Sequence, residues 1–132
     1  NTSDPCACLP TVQFSLSGNA SAVAAHIRDA QAAGKPKKLK YDANMARKDA
    51  RRGQVCLTGP RKPCPAPLPA SPTDDSCDEY PFATTYQGGI YMGSSASIRC
   101  VPRGTNSSQG GTLRHFYPTI NDGGEFCVEI VP

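Results

Sequence analysis

The sequence predicts a small α+β domain stapled by disulfides, built from an antiparallel sheet with a few helices, and three observations support this. Val, Leu, Ile and Phe together number 21 of 132 residues, about 16%, below the roughly 20% at which a chain struggles to build a core. Seven cysteines accompany 13 prolines and 12 glycines, a composition in which covalent staples around loops supplement apolar burial. Segments that alternate with period two are interleaved with helical repeats. One domain over residues 1–132 is expected, which excludes an enzyme with its cleft between two lobes. Within it, residues 1–10 read as an N-terminal extension and residues 59–75 as a proline-rich loop.

Val12 to Leu16 alternates apolar and polar residues, the mark of a short half-buried strand closed by Gly18-Asn19. Ser21 to Ala33 is alanine-rich, with Val23, Ile27 and Ala30 at helical spacing, Ser21 available as N-cap, and Gly34 and Pro36 as the stop. A brief strand is expected at Lys37 to Asp42, then a strongly basic helix over Ala43 to Arg52 ended by Gly53. Six prolines between Gly59 and Thr73 forbid helix interior or central strand there. After an acidic knot at Asp74 to Glu79, Ser95 to Val101 reads as a strand and Gly104 to Gly111 as loop. Thr112 to Tyr117 is expected as one short helix, and Phe126 to Val131 alternates as a closing strand.

The cysteines point outside the cytosol, where disulfides persist. No apolar run approaches the 18 or so residues needed to cross a bilayer, and the chain opens without a charged-then-apolar leader. A mature secreted protein with its signal removed, with no membrane contact and acting as a monomer, is therefore expected. Sequons at Asn1, Asn19 and Asn106 would permit glycosylation. The expected pairings are Cys56 with Cys64 across the proline loop and Cys77 with Cys100 between strands, leaving Cys127 to join Cys6 or Cys8.

Charge is unevenly placed. Between Arg28 and Lys62 there are 11 basic residues against three acidic ones, whereas Pro63 to Pro132 holds three basic against seven acidic. One part of the molecule thus suits a polyanion and another concentrates carboxylates. Within the acidic part, Asp78-Glu79 precedes Tyr80-Pro81 and is held extended, so its two side chains point to opposite faces and take different roles. The aromatic side chains Tyr80, Phe82, Tyr86, Tyr91, Phe116 and Tyr117 offer faces for stacking on bases, but most are expected in the core.

The run Cys77-Asp78-Glu79-Tyr80-Pro81-Phe82-Ala83, then Gly88-Gly89, the small-residue segment Ser94 to Arg99, Pro102, Asn106, Gln109-Gly110, Leu113 and Phe116-Tyr117, resembles the NucA/NucB family of secreted deoxyribonucleases. Upstream, Ala25-His26-Ile27-Arg28-Asp29-Ala30 is similar to that family's first helix, and Asp42, Ala46 and Arg51-Arg52 to its basic segment. The resemblance covers residues 12–131.

It implies a ββα-metal type site, in which a hairpin and one helix hold a single divalent ion, Mg²⁺ or Mn²⁺, against a DNA phosphate. It further implies Asp78 as general base and a metal ligand, Asn106 as a neutral oxygen ligand suited to a hard cation, and Gln109 and Glu79 as the next ligating or supporting groups. A carboxylate base remains ionised over a wide range, so the rate should not collapse between about pH 6 and 7 as with an imidazole base. His115, near Asn106 in sequence, is a candidate metal ligand, a proton donor to the leaving group, or a surface residue; His26 is expected to pack or hydrogen-bond within its helix. Arg28, Lys48, Arg51 and Arg52 are the expected contacts to the DNA backbone, which carry no base information. Where bacterial members usually show Asp-Arg, this chain has Ser76-Cys77, so any phosphate contact by that arginine is either lost or moved to Arg99, Arg103 or Arg114. A secreted ribonuclease, or a non-catalytic cysteine-rich protein binding polyanions through its basic face, are the alternatives that composition and charge leave open.

Overall fold

A computed structural model of the chain describes residues 5–56 and 76–132. Strand β1 (Thr11–Ser15) leads to helix α1 (Ser21–Ala32), strand β2 (Lys38–Lys40) and helix α2 (Met45–Val55). From residue 76 onward come β3 (Ser76–Tyr80), the short β4 (Ile90–Tyr91) and β5 (Ser94–Ser95), β6 (Ser97–Val101), helix α3 (Arg103–Phe116), a 3-10 turn at Tyr117–Thr119 and β7 (Glu125–Val131). The α+β class is as the sequence predicts, and β2 with β7, β3 with β6 and β4 with β5 all pair antiparallel. The exception is β1, which pairs parallel to β7 in a sheet of order β1-β7-β2. These two strands lie at opposite ends of the chain, so no hairpin forces them antiparallel.

The core forms where the inward faces of this sheet meet α1. Phe14, Val23, Ile27, Leu39, Phe126 and Val128 are buried, joined by Tyr80 and Phe82 from the β3 exit. Tyr80 is fully enclosed, and its hydroxyl donates to the Pro36 carbonyl at 2.6 Å and accepts from Gln31 at 3.1 Å.

Three sequence expectations are corrected. Residues 104–111, expected as loop, form the first two turns of α3. Gly104, Gly110 and Gly111 lower local helix propensity, but Gln109 and Leu113 are buried on the inner face of this helix, and tertiary packing overrides composition. Helix α2 runs through Gly53 to Val55: Gly53 is exposed on its outer side, where an added Cβ would meet nothing within 4 Å, and the next turn closes on Cys56, whose N–H donates to Arg52 O at 2.7 Å. Its cap is Asn44, which accepts from the Arg47 N–H, while α1 begins after Ala20 with no side-chain cap, so Ser21 is its first helical residue.

Among the described residues the disulfides are Cys6–Cys127 and Cys56–Cys77, with Cα separations of 5.8 and 5.9 Å. The first matches one of the expected partners of Cys127. The pairings Cys56–Cys64 and Cys77–Cys100 are overturned, since a sulfur makes one such bond and Cys56 meets Cys77 at the end of α2. Cys100 stands directly across the ladder from Cys77, and Cys64 lies outside the described residues. Closing loops of 21 and 121 residues stabilises such a chain by about 3 and 5 kcal/mol in the chain-entropy picture, offsetting its thin core.

Helix α2 buries none of its own residues and is instead held by charge. Asp42, buried before its N-terminus, accepts from Arg47 Nε at 2.6 Å, Arg47 Nη2 at 2.8 Å, Arg51 Nη2 at 2.6 Å and the Asn44 N–H at 3.0 Å. The Arg47 hydrogen bond, supported by Arg51, holds its carboxyl far below the usual carboxylate range.

Candidate functional site

Among the described residues strand β3 pairs with β6, and its Cys77, Asp78 and Glu79 line a cleft of about 260 Å³. Lys48 and Arg52 of α2 form one wall of this cleft, and Asn106, Gln109 and Leu113 of α3 the other. Asp78 and Glu79 lie at the base and Phe82, Ala83 and Thr84 at the end.

The alternation of β3 sends its two carboxylates to different partners. Asp78, 1% exposed, places Oδ2 2.6 Å from His26 Nδ1 and accepts from Gln109 Nε2 on Oδ1 at 2.9 Å. The His26 ring is itself buried, with Nε2 2.9 Å from Ser97 Oγ. A carboxylate oxygen only accepts, so Nδ1 carries the proton toward Asp78, and the rotatable Ser97 hydroxyl completes the other end. Glu79 accepts from Arg52 Nη1 on Oε2 at 2.9 Å. Burial pushes its carboxyl up to about 7, with the Arg52 charge opposing that shift and Asp78 adding to it.

The amides of α3 complete the ring. Gln109 Nε2 donates also to Asn106 Oδ1 at 3.1 Å, and Asn106 Nδ2 donates to Ser76 Oγ at 2.7 Å and to Cys77 O at 3.2 Å. Two acceptors remain: among the described residues, Glu79 Oε1 and Gln109 Oε1 are buried without a hydrogen-bond partner. A buried acceptor left bare costs about 1–3 kcal/mol, so two of them lining one cleft are suited to a ligand that offers positive charge or donors. Among the described residues no three His, Cys, Asp or Glu side chains cluster as a metal site; the available donors are one carboxylate oxygen and amide oxygens, all hard.

The site residues that the sequence singles out are thus only partly assembled. Asp78, Glu79, Asn106, Gln109, Lys48 and Arg52 converge, whereas His115 is exposed on the outer face of α3 and does not line the cleft. Arg51 is turned inward, bonded to Asp42 and to Ala83 O at 3.0 Å, and does not line the cleft. Arg28 and Arg99 both engage Asp29 on α1, away from the cleft. The hydrogen bond from Arg99, with that from Arg28, lowers the Asp29 carboxyl. Arg114 lines a neighbouring hollow with Ser76, Asn106, Ser107 and Gly110. His26 is buried and hydrogen-bonded as expected, but that its partner is Asp78 was not legible in the sequence. It lies three residues after Val23 on the apolar stripe of α1, and a polar ring on a buried stripe demands a buried polar partner.

The fold and site define a small disulfide-stapled α+β domain in which a buried acidic pair shares one cleft with Lys48 and Arg52. The family model described as Deoxyribonuclease NucA/NucB matches residues 26–129, and the chain belongs to that family of deoxyribonucleases. No curated protein matches the chain.

Proposed function

We propose that this protein is a secreted, divalent-metal-dependent endonuclease that hydrolyses DNA phosphodiester bonds with little sequence preference. The observation that carries this reading is the pair of bare acceptor oxygens, Glu79 Oε1 and Gln109 Oε1, beside Asp78 in a cleft walled by Lys48 and Arg52. Family membership makes DNA the substrate, and the two disulfides fit an oxidising compartment. Among the described residues no helix is long and apolar enough to cross a membrane.

Glu79 Oε1 and Gln109 Oε1, with Asn106 Oδ1 beside them, would hold a hard cation such as Mg²⁺ or Mn²⁺. When bound, such an ion neutralises charge that accumulates on phosphoryl oxygens. Both Asp78 oxygens already have protein partners, which favours Asp78 as the base that takes a proton from the attacking water over Asp78 as a ligand. His26 and Gln109 grip it in one rotamer with one hydrogen bond on each oxygen, which leaves a further lone pair on each at the lining of the cleft. Lys48 and Arg52 would seat the phosphates flanking the scissile bond, contacts that ignore base identity. A metal-free ribonuclease working through a histidine pair is disfavoured, because His26 is buried on Asp78 while His115 is exposed outside the cleft. Nicking of supercoiled plasmid, with RNA digested in parallel, tests the reading. Cleavage of DNA is expected with Mg²⁺ or Mn²⁺ and none in EDTA, and undiminished cutting in chelator would remove the metal from the reaction.

Glu79 also sets a pH dependence. Its folded value of about 7 lies above the ordinary 4.5, so the folded protein holds an extra proton between those values. The stability this group contributes is present below about 4.5 and lost as pH rises through about 7, by up to roughly 3 kcal/mol. A cation needs the ionised carboxylate. Millimolar Mg²⁺ should therefore raise Tm more at about pH 8 than at about pH 6, and activity at limiting metal should climb through the same interval while activity at saturating metal stays flat. Equal Tm shifts at both pH values would separate Glu79 from the cation.

A further inference from the structure

Beside the cleft, the β4–β5 hairpin presents three consecutive large apolar side chains to solvent: Ile90 is 51% exposed, Tyr91 41% and Met92 87%. In a chain this short of large apolar residues, such a run at the surface calls for a partner. The turn itself adds to the case. Met92 has φ 51° and Gly93 φ 82°, the two-residue turn with both central residues left-handed, where Asn or Gly sits without cost and Met does not. Folding alone therefore does not account for Met92.

The stalk beneath the tip is clamped. A Cβ on Gly88 would stand 2.2 Å from Phe82 O, and one on Gly89 would stand 2.3 Å from Gln54 Oε1 and 2.9 Å from Arg51 Cβ. Gln54 Oε1 accepts from the Ile90 N–H at 2.8 Å, and on the other strand Lys35 Nζ donates to Ser94 Oγ at 2.9 Å and to Ser95 O. The tip is thus carried on a rigid support, not on a loose loop.

Its placement ties it to the substrate. Arg51 and Gln54 hold the stalk, while Lys48 and Arg52 of the same helix line the cleft. The two features therefore flank one helix, a cylinder about 10–12 Å across with its side chains. A duplex turn of about 34 Å is longer than the width of that helix, so one duplex is long enough to reach both the cleft and the hairpin. On the hairpin's other side, Lys35, Lys38, Pro36, Pro81, Gln87 and Tyr91 line a hollow of about 250 Å³, cationic and apolar together, as a nucleotide's phosphate and base require.

We propose that the β4–β5 hairpin is a second DNA contact, with Ile90, Tyr91 and Met92 packing against nucleobases beside the bond held in the cleft. The inference rests on the deoxyribonuclease reading and extends it to substrate grip. Apolar wedges set against base steps and aromatic rings stacked on bases both act without reading sequence.

The test is the double variant Tyr91→Ser, Met92→Asn, whose second change suits the left-handed turn and so keeps the fold. Binding of a duplex carrying a fluorescent base analogue is measured in EDTA, alongside kcat and KM on DNA with Mg²⁺ and turnover of bis(nitrophenyl) phosphate, which is too small to reach the hairpin. The variant is expected to bind the duplex about tenfold more weakly, to lose the fluorescence change and to raise KM, with turnover of the small ester unchanged. Wild-type affinity and an intact fluorescence change in the variant would overturn the proposal. So would loss of binding to anionic phospholipid vesicles with DNA binding retained, since that assigns the tip to a lipid surface. A wild-type protein that hydrolyses neither substrate, yet binds the duplex through the tip, leaves the hairpin contact standing and removes the catalytic reading.

Discussion

Replacing Asp78 by Asn is expected to lower kcat for DNA cleavage by about 10²–10⁴-fold, the usual contribution of a positioned general base, while the domain stays folded. The fold survives because the local network can rewire without losing a bond. The Asn carbonyl accepts from Gln109 Nε2 in place of Asp78 Oδ1, and its amide donates to His26 Nδ1 once the imidazole proton moves to Nε2. There it donates to Ser97 Oγ, whose hydroxyl turns to accept. Shape and hydrogen bonding persist, and the proton acceptor at the cleft is gone. KM for DNA should change little, because Lys48 and Arg52 are untouched. Cleavage within a few fold of wild type by a folded Asp78→Asn protein would move the base to another residue.

Asp42→Asn is expected to cost about 3–5 kcal/mol, the loss seen when one partner of a buried ion pair is removed, and to lower Tm by more than about 10 °C. The wild-type carboxylate answers two guanidiniums and a backbone N–H at once, and Arg51, whose side chain is 12% exposed, has little water to turn to. The effect has a pH signature with a definite sign. Because the Asp42 carboxyl lies below its ordinary 3.8, the stability it contributes is present above that value and drains away as pH falls beneath it. The gap in unfolding free energy between wild type and variant should therefore be widest near neutrality and narrow in acid. A variant that melts within a degree or two of wild type would mean that α2 is anchored by something other than Asp42.

Legibility along the chain followed the range of the interactions involved. Strand β1 was readable because Val12 and Phe14 alternate with exposed Thr11 and Gln13, and α1 because Val23, Ile27 and Ala30 share one face. Both patterns are written in neighbouring residues. The start of α3 was not: Gly104, Asn106, Ser107, Ser108 and Gly110 read as loop, and the burial of Gln109 that makes it a helix depends on a carboxylate 31 positions away. The same reason hid the pairing of Cys56 with Cys77, which the local proximity of Cys64 in sequence obscures.

The site divides along the same line. The residue types needed for phosphodiester chemistry, an acidic pair, amide oxygens and a basic segment, were all legible in the sequence, and the Asp-Glu-Tyr-Pro-Phe-Ala run carried the resemblance to the deoxyribonuclease family. Only the tertiary structure decided what each residue faces. Adjacent residues on a strand point to opposite sides, so Asp78 went to His26 and Glu79 to Arg52. Adjacent residues on a helix are turned about 100° apart, so Arg51 was spent on Asp42 while Arg52 reached the cleft. The backbone's period is local, but the partner that each direction meets is supplied by segments far away in the chain.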